Sequence, residues 1–356
     1  MEKKKSQVDN YNTSKKHKRL ITISLLIATV VLGCSSILVG QFGVSPFEAL
    51  KVILGISEND SAQIQTINSI ILNIRLPRTI AAIIIGGALA VAGVTYQCVF
   101  RNMLVSQDVL GVSTGACVGT AAAIVLNLST YYIQGLSFIT GILSVLIVFI
   151  LSKVIKADKT LSLILSGILV SGLMSSVLGY IKYTANPQTQ LQNIIFWIMG
   201  DISTISLKQI NQVIIPIIIC VAVIFVNRWK LNFFCYSDSE ATNLGFNIKK
   251  YRTIFIICAT VLVSLSVSIS GSIGWIGLVI PQLVRTIIGT DNKNTVGLSF
   301  ILGADFLLLM DIINRLVSTA ELPISILTGI VGTPIFVICL ILKQRGEQLS
   351  KYDSSK

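Results

Sequence analysis

Ionisable side chains are scarce in the long apolar runs of this chain, so the few that occur there are the first candidates for chemistry. Asp311 and Arg315 stand four apart inside one such run, the spacing of an intrahelical ion pair. Charged groups at membrane depth are paired or functional. The pair therefore reads either as a structural bridge or as a contact for a partner. Asp305 precedes Asp311 by six residues and falls on another face, as a second polar anchor. Arg75 and Arg78, in "RLPR" (75–78), directly precede a further apolar run. Pro281 sits mid-run in "GSIGWIGLVIPQLVR" (271–285), behind Gly271, Gly274 and Gly277. A helix must kink or break there, and a neighbour must satisfy the carbonyl that proline leaves free.

Other chemistries are excluded. His17 is the only histidine and lies in the polar amino-terminal stretch, which removes imidazole catalysis and imidazole-rich metal relays. The seven cysteines are scattered without a CxxC pair and read as small buried residues. There is no GxxxxGK[ST] phosphate loop, no HExxH and no GxSxG, so the residues indicate neither ATP hydrolysis, nor a metal, nor a cofactor.

The elements that must position these groups are membrane helices. The chain is 53% hydrophobic and 12% charged, where a soluble domain carries about a quarter charged residues. Its apolar runs are continuous, unlike the alternating strands of a β-barrel. At roughly 20 residues per crossing, ten spans are expected near 20–40, 79–100, 109–127, 133–151, 161–181, 210–226, 253–270, 272–289, 296–317 and 323–342. "VLGCSS" (31–36) faintly resembles a lipoprotein cleavage site, but the run around it is long enough to be an uncleaved first span. The net charge of +12 reflects topology rather than nucleic-acid binding: 22 of the 28 basic residues fall in segments that the count places inside. This follows the positive-inside rule and puts both termini in the cytoplasm. The expected organisation is a basic tail (1–19), one transmembrane domain (20–343) and a cytoplasmic carboxy-terminal tail (344–356). Lys51, Arg75, Arg78 and Lys182 are exceptions in segments placed outside. "SEND" (57–60) reads as a solvated loop.

Gly111, Gly115 and Gly119 are expected on one helical face, as are Gly86 and Ala90. Such faces allow close helix packing and can also border a pathway. In the inside loop 237–252, Ser237 or Asp238 is placed to cap a short helix that Gly245 would end.

Seven stretches occur in order over nearly the whole chain: "RLPR", "GGALAVAG" (86–93), "QCVFRNMLVSQDVLGVSTGA" (97–116), "FWIMGDI" (196–202), "ATNLGFNIKKYR" (241–252), "GSIGWIGLVIPQLVR" and "ELPISILTGIVGTPIF" (321–336). Together they resemble the FecCD family of ABC importer permeases. The resemblance implies an all-α polytopic protein of the bacterial plasma membrane, a type II ABC importer permease with ten helices per subunit. It implies a second permease copy or paralogue, an extracytoplasmic substrate-binding protein and separate cytoplasmic ATPase subunits. No nucleic acid takes part, and this chain is not itself an enzyme. The implied cargo is an iron(III)–siderophore complex, with haem or cobalamin as alternatives; a secondary transporter is the rival from another class. By the same resemblance, Arg75, Arg78 and Arg315 dock the binding protein, and charge reversal at Arg75 and Arg78 should slow uptake with folding intact. Glu240, Ala241, Leu244, Gly245 and Phe246 would face the ATPase. The chain departs from the family pattern at Met103 and Gln107, where prolines are common, at Gln282, a frequent histidine, and at Ser325, a usual glycine.

Overall fold

The computed structural model describes residues 2–40, 42–54, 62–155, 158–317 and 322–354; the SEND loop lies outside the described residues. Among these residues there are helices and irregular connections, and no strand.

Helix α1 (Glu2–Leu38) runs unbroken from the basic tail through the first apolar run. Ser45 and Glu48 form a capping box that starts α2 (Pro46–Ile53), with proline in its first turn, where the missing N–H costs nothing. Helix α3 (Ala62–Ser69), a π-helical turn (Ile70–Arg75) and α4 (Leu76–Val99) follow continuously. The π turn lies where Pro77 removes a donor from the α-helical ladder. Next come α5 (Val112–Val125), α6 (Thr130–Val154), α7 (Lys159–Thr184), α8 (Gln190–Ile198) and α9 (Leu207–Val226). A 3₁₀ helix (Arg228–Cys235) leads into α10 (Asp238–Asn243) and α11 (Ile248–Ser270). The chain ends with α12 (Ile276–Ile288), α13 (Asn292–Val317) and α14 (Ile324–Ser354), which continues through the described part of the expected carboxy-terminal tail.

Eight of these helical stretches are long and apolar enough to cross a membrane, and α5 and α12 are shorter apolar helices. All ten overlap the expected runs. The two short ones differ from expectation in a definite way. With 14 and 13 residues, they span only about 20 Å of a core roughly 30 Å thick. Residues 101–111 and 271–275, which precede them, are not regular helix. Gly111, Gly271 and Trp275 have φ of 69°, 67° and 71°, and a left-handed residue cannot continue a right-handed helix.

Helices α4, α11 and α13 form the inner layer: 83%, 78% and 67% of their apolar windows are buried inside the protein, against 6% for α1. Lipid tails are as apolar as leucine, so close backbone packing and polar bonds, not hydrophobic burial, must join such helices. Glycine supplies the first. On α4, a Cβ at Gly86 would run into the Gly303 carbonyl of α13, and a Cβ at Gly93 into the Gly277 carbonyl of α12. Gly115 and Gly119 let α5 approach α6 at Ser144, Thr140 and Leu136. Gly111 does not share their helical face; it is the left-handed residue that starts α5, packed on Ser171.

Gly93→Leu should therefore drive α4 and α12 apart, at a cost of about 1–3 kcal/mol or more. Gly172→Ala, where nothing lies within 4 Å of an added Cβ, should be neutral or gain up to about 1 kcal/mol. Thermal unfolding of the purified protein in detergent checks both.

Candidate functional site

Helix α4 has 24 residues, about 36 Å at 1.5 Å per residue. It therefore holds Arg78 and Arg101 at opposite ends of the bundle, and a polar cluster forms at each end.

At the first end, Asp311 is fully buried and accepts from two arginines. Arg78 Nε donates to Oδ1 at 2.5 Å, and Arg315 Nη2 donates to Oδ2. Arg315 Nη1 also donates to the Ser36 carbonyl at 2.6 Å and the Val39 carbonyl at 3.2 Å. Arg75 Nη1 donates to the carbonyls of Ile37 and Leu38 at 2.9 Å, and its Nη2 to that of Phe42 at 2.5 Å. The carbonyls of Ser36, Ile37 and Leu38 are among those that α1 leaves without intrahelical partners at its carboxy end, where cations are also favoured by the helix dipole. Ser36 and Thr79 hydroxyls meet at 2.8 Å. Three-quarters of the way along α1, the Thr29 hydroxyl donates to Asp305 Oδ1 at 2.5 Å, which makes Asp305 the anticipated anchor. Helix α1, with Ile21, Leu25 and Leu32 packed on the core but little of it fully buried, is also fastened by polar bonds.

Arg75, Arg78 and Arg315, expected from the family resemblance to dock a partner at this end, are all buried in the chain. They are 4%, 2% and 8% exposed, because each is turned inward onto a carboxylate or a helix end. Charge reversal at Arg78 would set two carboxylates together in the interior, so folding would not stay intact. Sequence spacing showed the Asp311–Arg315 pair; Arg78 as its third member, 233 residues away from Asp311, had no local signal.

At the opposite end, Ser237 caps α10 in a capping box with Glu240, and Gly245 ends the turn with φ 78°, as the loop sequence indicates. Asp238 ties this helix down. Arg252 grips it with two bonds of 2.8 and 2.9 Å, and Arg101 Nη2 adds one of 2.6 Å. Arg101 also donates to the Phe234 carbonyl at 2.6 Å. The Arg252 hydrogen bonds, helped by Arg101, hold the Asp238 carboxyl below its ordinary range. Of the five residues expected to face a partner here, Leu244, Gly245 and Glu240 are exposed, while Ala241 and Phe246 are buried. Phe246 stacks between Phe233 and Tyr251 at centroid distances of 4.5 and 5.1 Å. It supports the loop from beneath and cannot be its outer face. The Glu240 carboxylate is engaged with Ser237. Asp238 was a cap candidate from sequence, but its pairing with Arg101 and Arg252 was not legible there, because it requires α4 and α11 to be neighbours.

Between the two ends, the break before α12 is stitched to its surroundings. Gln107 Nε2 donates to the Ile273 carbonyl and Ser325 Oγ to the Ser272 carbonyl, both at 2.5 Å. Gln282 Nε2 donates to the Met103 carbonyl at 2.9 Å. Pro281 frees the Gly277 carbonyl, and Gln97 Nε2 of α4 reaches it at 3.3 Å. Two departures from the family pattern, Gln107 and Ser325, therefore supply side-chain donors to this break, while a third, Gln282, ties α12 to the irregular stretch before α5. All seven cysteines are free thiols, and no cluster of metal ligands occurs among the described residues.

A ten-segment apolar bundle with a broken helix, one arginine-fastened end and one end carrying a pinned, exposed turn has the architecture of a membrane permease. The model of the FecCD transport family matches residues 25–343, and the chain belongs to that family. It is 35% identical over 329 residues to a probable iron chelatin transport system permease of Helicobacter pylori, covering 92% of this chain and 99% of that one. It is 32% identical to the molybdate import permease MolB of Haemophilus influenzae, covering 92% and 96%. It is also 32% identical to the vitamin B12 import permease BtuC of Vibrio parahaemolyticus, covering 91% and 94%. A solved ABC transporter, described as of metal-chelate type in an inward-facing conformation, superposes with a TM-score of 0.82 at 31% identity, covering 91% of this chain and 99% of that one. The chain is an ABC importer permease, a multi-pass protein of the bacterial plasma membrane.

Two outcomes test the clusters. Asp311→Leu strands two buried guanidiniums and should cost about 3–5 kcal/mol, whereas Arg78→Met, Asp311→Leu and Arg315→Met together should recover most of that loss; thermal unfolding of both variants decides. The Asp238 clamp should be intact at neutral pH, because a depressed carboxyl keeps its stabilisation above the ordinary value near 4 and loses it only as pH falls through the lowered one. Hydrogen exchange of residues 237–246 should rise in acid, and Asp238→Asn should show the raised exchange already at neutral pH.

Proposed function

We propose that this chain is the membrane-spanning subunit of an importer for an iron(III)–siderophore complex. It would work with a second permease copy or paralogue, cytoplasmic ATPase subunits and an extracytoplasmic binding protein. The observation that carries the reading is the pinned turn at Leu244 and Gly245. It is exposed, seated on an aromatic stack and joined through Asp238 to α4 and α11, so a push on it reaches the inner layer. An iron chelate is favoured by the 35% identical Helicobacter protein, whose description names iron chelatin; relatives described for molybdate, haemin and vitamin B12 define the alternatives. A large chelate needs no charged cage, which suits spans rich in Gly, Ser and Thr. The end bearing Arg75, Arg78 and Arg315 would seat the binding protein. There the arginines brace the surface from within, and α2, with Phe47, Leu50 and Lys51 exposed, offers contacts.

The complex reconstituted in liposomes, with its ATPase and binding protein, tests this. A ferric siderophore should stimulate ATP hydrolysis and accumulate. Stimulation by haemin, cyanocobalamin or molybdate alone would reassign the cargo, and uptake abolished by a protonophore without any ATPase would sink the importer reading. Leu244→Asp should abolish copurification of the ATPase while leaving thermal stability within about 0.5 kcal/mol, as for an ordinary surface change.

A further inference from the structure

Gln97 occupies the last turn of α4 and is 2% exposed. Its amide is used on both sides. Nε2 donates to the carbonyls of Gly277 and Leu278 at 3.3 and 3.4 Å. Oε1 accepts from Gln282 Nε2 at 3.3 Å and from Arg285 Nη1. The Gly277 carbonyl is the one that Pro281 deprives of its helical N–H. A side chain of α4 thus completes the hydrogen bonding of α12, one turn from the Gly93–Gly277 backbone contact.

The same residue is where two polar routes from the 237–246 turn arrive. Along the first, Asp238 binds Arg101, which follows α4 directly. Along the second, the 3₁₀ helix before α10 contributes Asn232, whose Oδ1 accepts from the Asn292 backbone and side chain at 3.0 and 2.8 Å. Cys98 Sγ donates to Asn292 Oδ1 at 3.2 Å, and Arg285 Nη2 approaches Cys98 Sγ at 3.7 Å. Arg285 closes the route on Gln97.

We infer that Gln97 is the positioning residue that makes the broken helix α12 follow the ATPase-facing turn, by replacing the hydrogen bond Pro281 removes with one from the helix that turn is clamped to. The inference rests on the reading of 237–246 as the ATPase contact. Low-dielectric surroundings strengthen the amide's bonds and make losing them costly. Without Gln97, the Gly277 carbonyl of α12 lacks its donor, and α12 keeps only the Gly93 backbone contact and the long Arg285–Cys98 approach to α4.

Trp275 reports on α12. It precedes the helix and lies against Gly329 and Gly332 of α14. In a protein with Trp197→Phe and Trp229→Phe, it is the sole tryptophan. The permease coexpressed with its ATPase is compared with and without ATP plus vanadate. With Gln97 present, nucleotide should shift Trp275 emission. In Gln97→Leu the ATPase should still copurify and hydrolyse ATP, but the shift should be lost. Gln97→Glu keeps the acceptor for Arg285 and lacks the donor for Gly277; it guards against misfolding of the leucine variant and should lose the shift as well. A full shift in either folded variant overturns the role of Gln97. Failure of the ATPase to copurify even with Gln97 present overturns instead the reading of the turn on which the inference rests.

Discussion

The backbone contact of α4 with α13 and α12, at Gly86–Gly303 and Gly93–Gly277, is the constraint on which the rest depends. In a bilayer no hydrophobic force gathers helices, so attraction must come from atoms close enough to touch and from polar bonds made between them. Gly86, Ala90 and Gly93 remove the side chains that would hold α4 away from its neighbours. Once the backbones meet, the polar groups at both ends of α4 come within reach of partners hundreds of residues away in sequence. Arg78 meets Asp311 only because Gly86 meets Gly303 two turns further along. Gln97 meets Gly277 only because Gly93 already touches it.

This arrangement divides labour along one rod. The first end is static in character: three arginines and one aspartate fasten an outer helix that buries little apolar surface in the protein. A buried ion cluster contributes little net stability over an apolar substitute, but it orients α1, α4 and α13 uniquely, since a carboxylate gripped by two guanidiniums tolerates few geometries. The opposite end is suited to receiving force. Its exposed turn is short, capped, backed by stacked rings and clamped by charge to two inner helices. Between the ends lies α12, a helix with too few residues to cross and with a proline inside it. Such elements are tolerated only where neighbours satisfy the backbone. Here Gln97, Gln107 and Ser325 supply the donors.

Seven short stretches, each weak by itself, carried the family resemblance, and the whole-chain comparison agrees with it. The apolar runs were equally legible, because a helix of roughly 20 apolar residues records the bilayer thickness directly in the sequence. Capping of α10 by Ser237 and its end at Gly245 were also legible, since both are local backbone effects. Side-chain direction was not. Ala241 and Phe246 lie in the same motif as Leu244 and Gly245, yet they point inward. Gly111 keeps four-residue spacing with Gly115 and Gly119, yet its left-handed backbone takes it off their helix. The three arginines expected to dock a partner are each hydrogen-bonded within the protein.

What the sequence alone determined is what a bilayer or a single helical turn can read: how many apolar runs there are, which flanks are basic, where proline and glycine interrupt, and which pairs stand four apart. What only the tertiary structure decided is which of these features touch. The carboxylate shared by Arg78 and Arg315, the cap that Arg75 places on α1, the Asp238 clamp and the amide that Gln97 lends to Pro281 all join residues far apart in the chain. Each depends on helix neighbours and rotations set by close packing, and no local pattern of residues encodes those distances.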